Sequence, residues 1–125
     1  MALSLNPDAL LARIRETSTL LPEVEERPSH GQPTWFVAGK QFAQFRHDHQ
    51  GDGETALCVR TSGVDEQAML IEADPARYAR PAYLGSSGWV SLLIGGDPDL
   101  ALIDDRLARS WELAAPARLL EAGGR

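Results

Sequence analysis

The chain has 125 residues, 43% hydrophobic and 24% charged, with a formal net charge of −6 at pH 7. That length suits one domain over residues 1–125, large enough to bury a core without disulfide or metal staples. The acidic balance sets the chain apart from proteins whose grip on nucleic acid comes from an overall basic charge, although a local cluster of cations survives any acidic total.

Cys58 is the only cysteine, so an internal disulfide is excluded and a reducing compartment is expected. No apolar run approaches the ~20 residues of a membrane span, and MALSLNPDALLARIRE lacks a basic segment ahead of an apolar one. The expectation is a cytoplasmic protein with no membrane partner.

In chain order, Asn6 is placed to cap a first helix, with Pro7 at its first position and Asp8 near the positive end of the dipole. Leu10, Ile14, Thr17 and Leu21 form its apolar stripe, and Pro22 makes Leu21 its last residue. Residues 23–26 predict a short edge strand with Val24 inward. Pro28, Gly31 and Pro33 then bracket His30 in a stiff, irregular loop. Residues 34–37 and 41–45 are rich in aromatic and β-branched side chains, and the short Gly-containing connector Ala38-Gly39-Lys40 makes them a hairpin. Strict alternation puts Gln41, Ala43 and Phe45 on one face and Phe42, Gln44 and Arg46 on the other. HDHQGDGET, 47–55, is a polar tip leading to a third strand over 55–61, within which Cys58 reads as a buried, inert thiol.

Residues 64–73 predict a second helix, stopped by Asp74-Pro75. A Pro- and Gly-punctuated loop over 77–87 follows, and residues 89–94, WVSLLI, are the most apolar run and read as a central strand. Asp97-Pro98 caps a last helix with the stripe Leu100, Ile103, Leu107, Trp111 and Ala114, ended or kinked by Pro116. The order α-β-β-β-α-β-α, with hairpin-linked strands, predicts a two-layer α+β fold, an antiparallel sheet with helices packed on one face.

Few residues suggest chemistry. His47, Asp48, His49 and Asp52 have the side chains of a metal site, and alternate strand residues point the same way. No helix or strand fixes further ligands, so a solvated turn is expected, with no metal and no cofactor. His30 could bond a loop carbonyl, contact a ligand or act as a base. It has no serine or cysteine partner at a defined spacing, which favours a structural use. Gly85-Ser86-Ser87-Gly88 lacks the lysine and following helix of a phosphate loop and reads as a tight turn. Asp97, Asp99, Asp104 and Asp105 complement a helix N-terminus. With no catalytic constellation, a non-enzymatic protein is expected.

The cations are more suggestive. Arg77 and Arg80 lie in a stretch with Tyr78, Tyr83 and Trp89 and no acid, while Lys40, Arg46 and Arg60 lie on or beside adjacent hairpin strands. Convergence of the two groups on one face would create a local positive patch. An exposed aromatic surface around Trp35, Phe42 and Trp89 would instead mark a protein-interaction or small-ligand face.

The segments VEERPSHGQPTWFVAGKQFAQF (24–45), ADPARYARPAYLGSSGWVSLLI (73–94) and LARSWELAAPARL (107–119) resemble the MmcQ/YjbR family of small bacterial proteins. The resemblance covers most of the chain in the family's order, through an HGxPxF-like loop, a GK turn and a PxYxGxxGW loop. It implies a CyaY-like α+β fold, a monomer, and a double-wing DNA-binding role in which two β-loops grip the duplex. On this reading the wings are the Gly39-Lys40 hairpin or the 47–54 loop, with phosphate contacts from Arg46, Arg60 and the loop from Arg77 to Trp89. The chain departs from such a role in having one lysine, and Asp48, Asp52 and Glu54 in a candidate wing. The family supplies no catalytic residues. Frataxin-like iron binders share the fold neighbourhood but carry a carboxylate ridge on the first helix, where this chain has only Asp8 and Glu16. The expected function is weak, sequence-non-specific DNA binding, the alternative a protein-interaction or small-ligand module on the sheet face.

Overall fold

A computed structural model describes residues 6–48, 53–95 and 98–121. Helix α1, Pro7–Thr19, begins as its capping residues dictate: the Asn6 side chain accepts from the Ala9 N–H at 2.8 Å, with Pro7 at the first position. Its buried residues are Leu10, Ile14 and Ser18, so Thr17 and Leu21 sit at the edge of the stripe. The helix closes earlier than Pro22 requires, because the Leu20 and Leu21 amides bond the carbonyls three residues back, Thr17 and Ser18, and tighten the last turn.

Four strands then form a meander: β1 (Val24–Ser29), β2 (Gln32–Val37), β3 (Lys40–His47) and β4 (Thr55–Val59), each antiparallel to the last. His30 and Gly31 join β1 to β2 with φ of 53° and 77°; Ala38 and Gly39 join β2 to β3 with 49° and 84°. Two central residues with positive φ give a turn whose twist matches that of the strands. The irregular loop expected around His30 is therefore a tight hairpin turn. It lets β1 run on through Pro28 as an edge strand, the place in a sheet where proline is tolerated.

Pairing of β2 with β3 is broken once. Trp35 stands opposite Ala43 and Phe36 opposite Gln41, leaving Phe42 as an extra residue. This bulge corrects the strict alternation expected of β3. Phe42 joins Ala43 and Phe45 in the core, and Gln41 turns to the side of Gln44 and Arg46.

Helix α2, Val64–Ala73, occupies its expected span and leads to β5 (Tyr78–Ala79), a two-residue strand where the sequence suggested only loop. After a 3₁₀ turn at Gly85–Ser87 comes β6 (Val90–Leu93), which pairs with both β4 and β5. The sheet order is β1-β2-β3-β4-β6-β5, an open antiparallel sheet of six strands. Helix α3, Leu100–Ala114, is capped by Asp99, which accepts from the Leu102 N–H at 3.1 Å; Asp97 lies outside the described residues. A short helix α4, Ala117–Glu121, follows Pro116. Among the described residues no helix is long and apolar enough to cross a membrane.

Helix α3 packs on β3 and β4, and α1 packs on α3 and β1. The core between them holds Trp35, Phe42, Leu57, Leu107 and Trp111. Trp111 Nε1 donates to the Pro22 carbonyl at 3.0 Å, tying α3 to the link between α1 and β1. The Ser110 hydroxyl donates to the Phe42 carbonyl at the bulge and accepts from the Arg60 N–H at 2.8 Å. Ser110→Ala leaves both backbone groups without that partner and should cost about 1–3 kcal/mol, the desolvation penalty of unsatisfied buried groups. Urea unfolding checks this: the midpoint should fall with an unchanged slope. A loss under about 0.5 kcal/mol, the level of neutral surface changes, would show that the hydroxyl is dispensable.

Candidate functional site

The sheet face turned away from α1 and α3 is organised by a buried glutamine. Gln44 is 4% exposed and uses its whole amide. Nε2 donates to the Ser29 carbonyl at 3.2 Å and to Thr34 Oγ1 at 3.1 Å, and Oε1 accepts from Arg46 Nε at 2.8 Å. Thr34 in turn donates to the Gln32 carbonyl at 3.0 Å. A chain of hydrogen bonds thus runs from the β1–β2 turn, across β2 and β3, to Arg46, a residue only 8% exposed. Both amide hydrogens of Gln44 are committed, which fixes its oxygen toward Arg46.

Above this floor lies the segment after β5. Gln67 of α2 donates to the Gly85 and Trp89 carbonyls at 2.8 and 2.5 Å, and its oxygen accepts from Arg80 Nη1 at 3.3 Å. Arg80 lies against Gly85 so closely that a Cβ there would meet Arg80 Cγ at 2.6 Å. Gly88, with φ +86°, passes the Gly63 backbone at a distance that leaves a Cβ 2.8 Å from the Gly63 carbonyl carbon. Just ahead of Gly85, Tyr83, 78% exposed, and Leu84 face β3 across a gap. Between them and the sheet is a cavity of about 530 Å³, lined by Ser29, His30, Gln32, Gln41, Gln44, Arg46, Tyr83 and Leu84.

The cations singled out by sequence are placed differently from one another. Arg46 enters the cavity. Arg60 flanks it: its Nε donates to the Gln41 carbonyl at 2.8 Å, its guanidinium lies 5.1 Å from the Trp89 ring centroid, and burial lowers its pKa. Arg80 braces the Tyr83–Leu84 segment from behind. Lys40 is exposed next to the Ala38-Gly39 turn. Arg77 is exposed and 3.5 Å from Asp74, in a separate depression of about 260 Å³ that shares no residue with the first. His30 is exposed at the cavity rim. Trp35, Phe42 and Trp89 are 0%, 0% and 2% exposed, so the exposed aromatic surface considered from the sequence is corrected to core. The site on this face is polar instead. At the polar tip, His47 Nδ1 is 2.8 Å from Thr55 Oγ1 and Asp48 accepts from the Gly53 N–H; His49 and Asp52 lie outside the described residues.

A family model for YjbR matches residues 19–113, from the end of α1 into the last turns of α3. The chain belongs to the YjbR family. The match takes in every strand of the sheet and every residue lining the cavity. A solved structure of similar shape is the Deinococcus radiodurans protein DR2400, described as a DUF419 domain. It is 19% identical, with 92% of this chain and 88% of that one covered and a TM-score of 0.72. At that identity the likeness is one of fold. No curated protein matches the chain.

Gln44 and Gln67 of this YjbR domain escape a reading by sequence motif, whereas Tyr83 is the tyrosine of the PxYxGxxGW loop. Gln44 leaves one faint signal, an uncharged polar side chain inside the apolar run FAQF, and Gln67, after Asp65-Glu66, leaves none. Cys58 stands opposite Gln44 on the neighbouring strand, its sulfur 3.5 Å from the Ser91 hydroxyl. Burial pushes the thiol above its ordinary value of 9.0. A raised folded-state pKa means that this contribution to stability is complete below 9.0 and is lost as pH rises through the folded value. Cys58 should therefore resist an aromatic disulfide reagent at about pH 8 in the native protein and react fully in denaturant. Rapid native-state labelling would show that the β3–β4 face opens readily.

Proposed function

We propose that this YjbR domain is a non-catalytic module that binds a small organic ligand in the cavity over β3. One observation carries the reading: a concavity of about 530 Å³ has a buried, hydrogen-bond-positioned guanidinium in its floor. Small-molecule sites occupy about 300–1,000 Å³ and combine apolar walls with a few fixed polar groups. Tyr83 and Leu84 supply the wall; Gln41, Gln44 and Arg46 supply the polar groups. Amide and guanidinium groups held by hydrogen bonds orient a ligand, which favours binding over chemistry.

Weak, sequence-non-specific DNA binding is the second reading, supported by the resemblance of the hairpins and by exposed Lys40 and Arg80. Arg46 and Arg60 are held within the fold, and Arg77 faces Asp74. With two of the five candidate cations exposed to phosphates, the logarithmic salt dependence of such binding would have a slope of only about −2.

Amide NMR spectra during titration with a set of small organic acids, alcohols and amides test the first reading. Saturable shifts should centre on Gln44, Arg46, Tyr83 and Leu84; shifts confined to other elements would overturn it. In parallel, labelled duplex at low salt should show association no tighter than ~100 µM, the weak end of non-specific affinities. Micromolar binding with a steep salt slope would favour DNA instead.

A further inference from the structure

Resting on that cavity reading, we infer that the ligand is an organic carboxylate, its carboxylate seated on the outer nitrogens of Arg46 and its carbon body against Tyr83 and Leu84. A guanidinium has five N–H donors. Among the hydrogen bonds formed by the described residues, Arg46 uses only Nε, toward Gln44. The ion pairs among the described residues are Arg13–Asp104, Arg15–Glu26, Arg27–Glu25, Arg77–Asp74 and Arg118–Glu23, and none includes Arg46. No carboxylate is found among the described residues lining the cavity. A largely buried arginine usually faces an acid, and here the space beside it is a cavity rather than a side chain.

The donor geometry narrows the class. The planar fork of arginine matches a carboxylate in two parallel hydrogen bonds, which are shorter and stronger than neutral ones. Gln44 holds Nε and so sets the rotation of the fork, which makes it a positioning residue. Gln41 and Gln32 sit on the same cavity wall and offer neutral N–H donors to the rest of the ligand. One cation in the floor matches a single negative charge better than a phosphate dianion. A cavity of about 530 Å³ with Tyr83 and Leu84 over it also exceeds what a bare inorganic anion fills.

Calorimetric titration of the full chain with benzoate, benzyl alcohol and inorganic phosphate tests this. Benzoate should bind saturably, about tenfold or more tighter than benzyl alcohol, the difference a charge-assisted pair makes; phosphate should not compete. Arg46→Met should abolish the preference for benzoate. Gln32→Glu places a carboxylate on the cavity wall away from the Gln44–Arg46 bond, and should weaken benzoate by a far larger factor than it weakens benzyl alcohol. This variant decides the matter if Arg46→Met fails to fold. Equal binding of benzoate and benzyl alcohol would sink the carboxylate assignment and leave the cavity reading standing. Phosphate binding as tightly as benzoate would replace the organic acid with an inorganic anion. Binding of none of the three would overturn both.

Discussion

One hydroxyl sets the phase of the sheet. Ser110, buried on the inner side of α3, takes the Phe42 carbonyl and the Arg60 N–H as partners, one from each of two neighbouring chain segments. The carbonyl belongs to the bulged residue of β3, where two residues oppose one and the regular ladder is interrupted. A helix side chain thus bonds sheet backbone at the point where the pairing register shifts. Everything downstream on β3 depends on that interruption. Without the extra residue, Gln41 would share the helix side with Ala43 and Phe45, since side chains alternate with a period of two. With it, Phe42 fills the core and Gln41 joins Gln44 and Arg46 over the cavity.

The two faces of the sheet are held by different physics. Toward α1 and α3 the packing is apolar, with Trp35, Trp111, Phe42, Leu57 and Leu107 removed from water, and each such side chain contributes roughly 1.5–3 kcal/mol. Toward Tyr83 the interior is polar, and directional bonds replace packing: Gln44 joins β1, β2 and β3, while Gln67 joins α2 to the turn at Gly85. A satisfied polar network of this kind contributes little net stability per bond, about 0.5–1.5 kcal/mol, but losing any member strands the others. Such a face resists rearrangement without being filled, which is what a binding surface needs.

Local signals in the sequence were legible where they act over a few residues. Asn6-Pro7, Ala38-Gly39 and Asp74 each fix an end or a turn by their own conformational preferences, and the structure places α1, the β2–β3 hairpin and α2 accordingly. Legibility failed where a distant partner decides. The bulge at Phe42 depends on α3, nearly seventy positions along the chain. Strand β5 has two residues and exists because β6 lies beside it. His30 in a left-handed conformation is intelligible only once β1 and β2 are known to pair from Ser29 to Gln32. The cavity is of this kind as well, since its floor, rim and cover come from three separate stretches.

Charge too is distributed by partners that lie far apart in the chain. The five arginines Arg13, Arg15, Arg27, Arg77 and Arg118 each face a carboxylate on exposed or half-exposed surface, where an ion pair is screened by water and contributes little. Those pairs account for charge without concentrating it. Arg46, Arg60 and Arg80 instead bond to neutral partners: the Gln44 amide, the Gln41 carbonyl and the Gln67 amide. A neutral partner orients a guanidinium but cancels none of its charge. The chain's net charge of −6 therefore says nothing of how these three arginines are held, since each is oriented by a neutral group rather than cancelled by an acid.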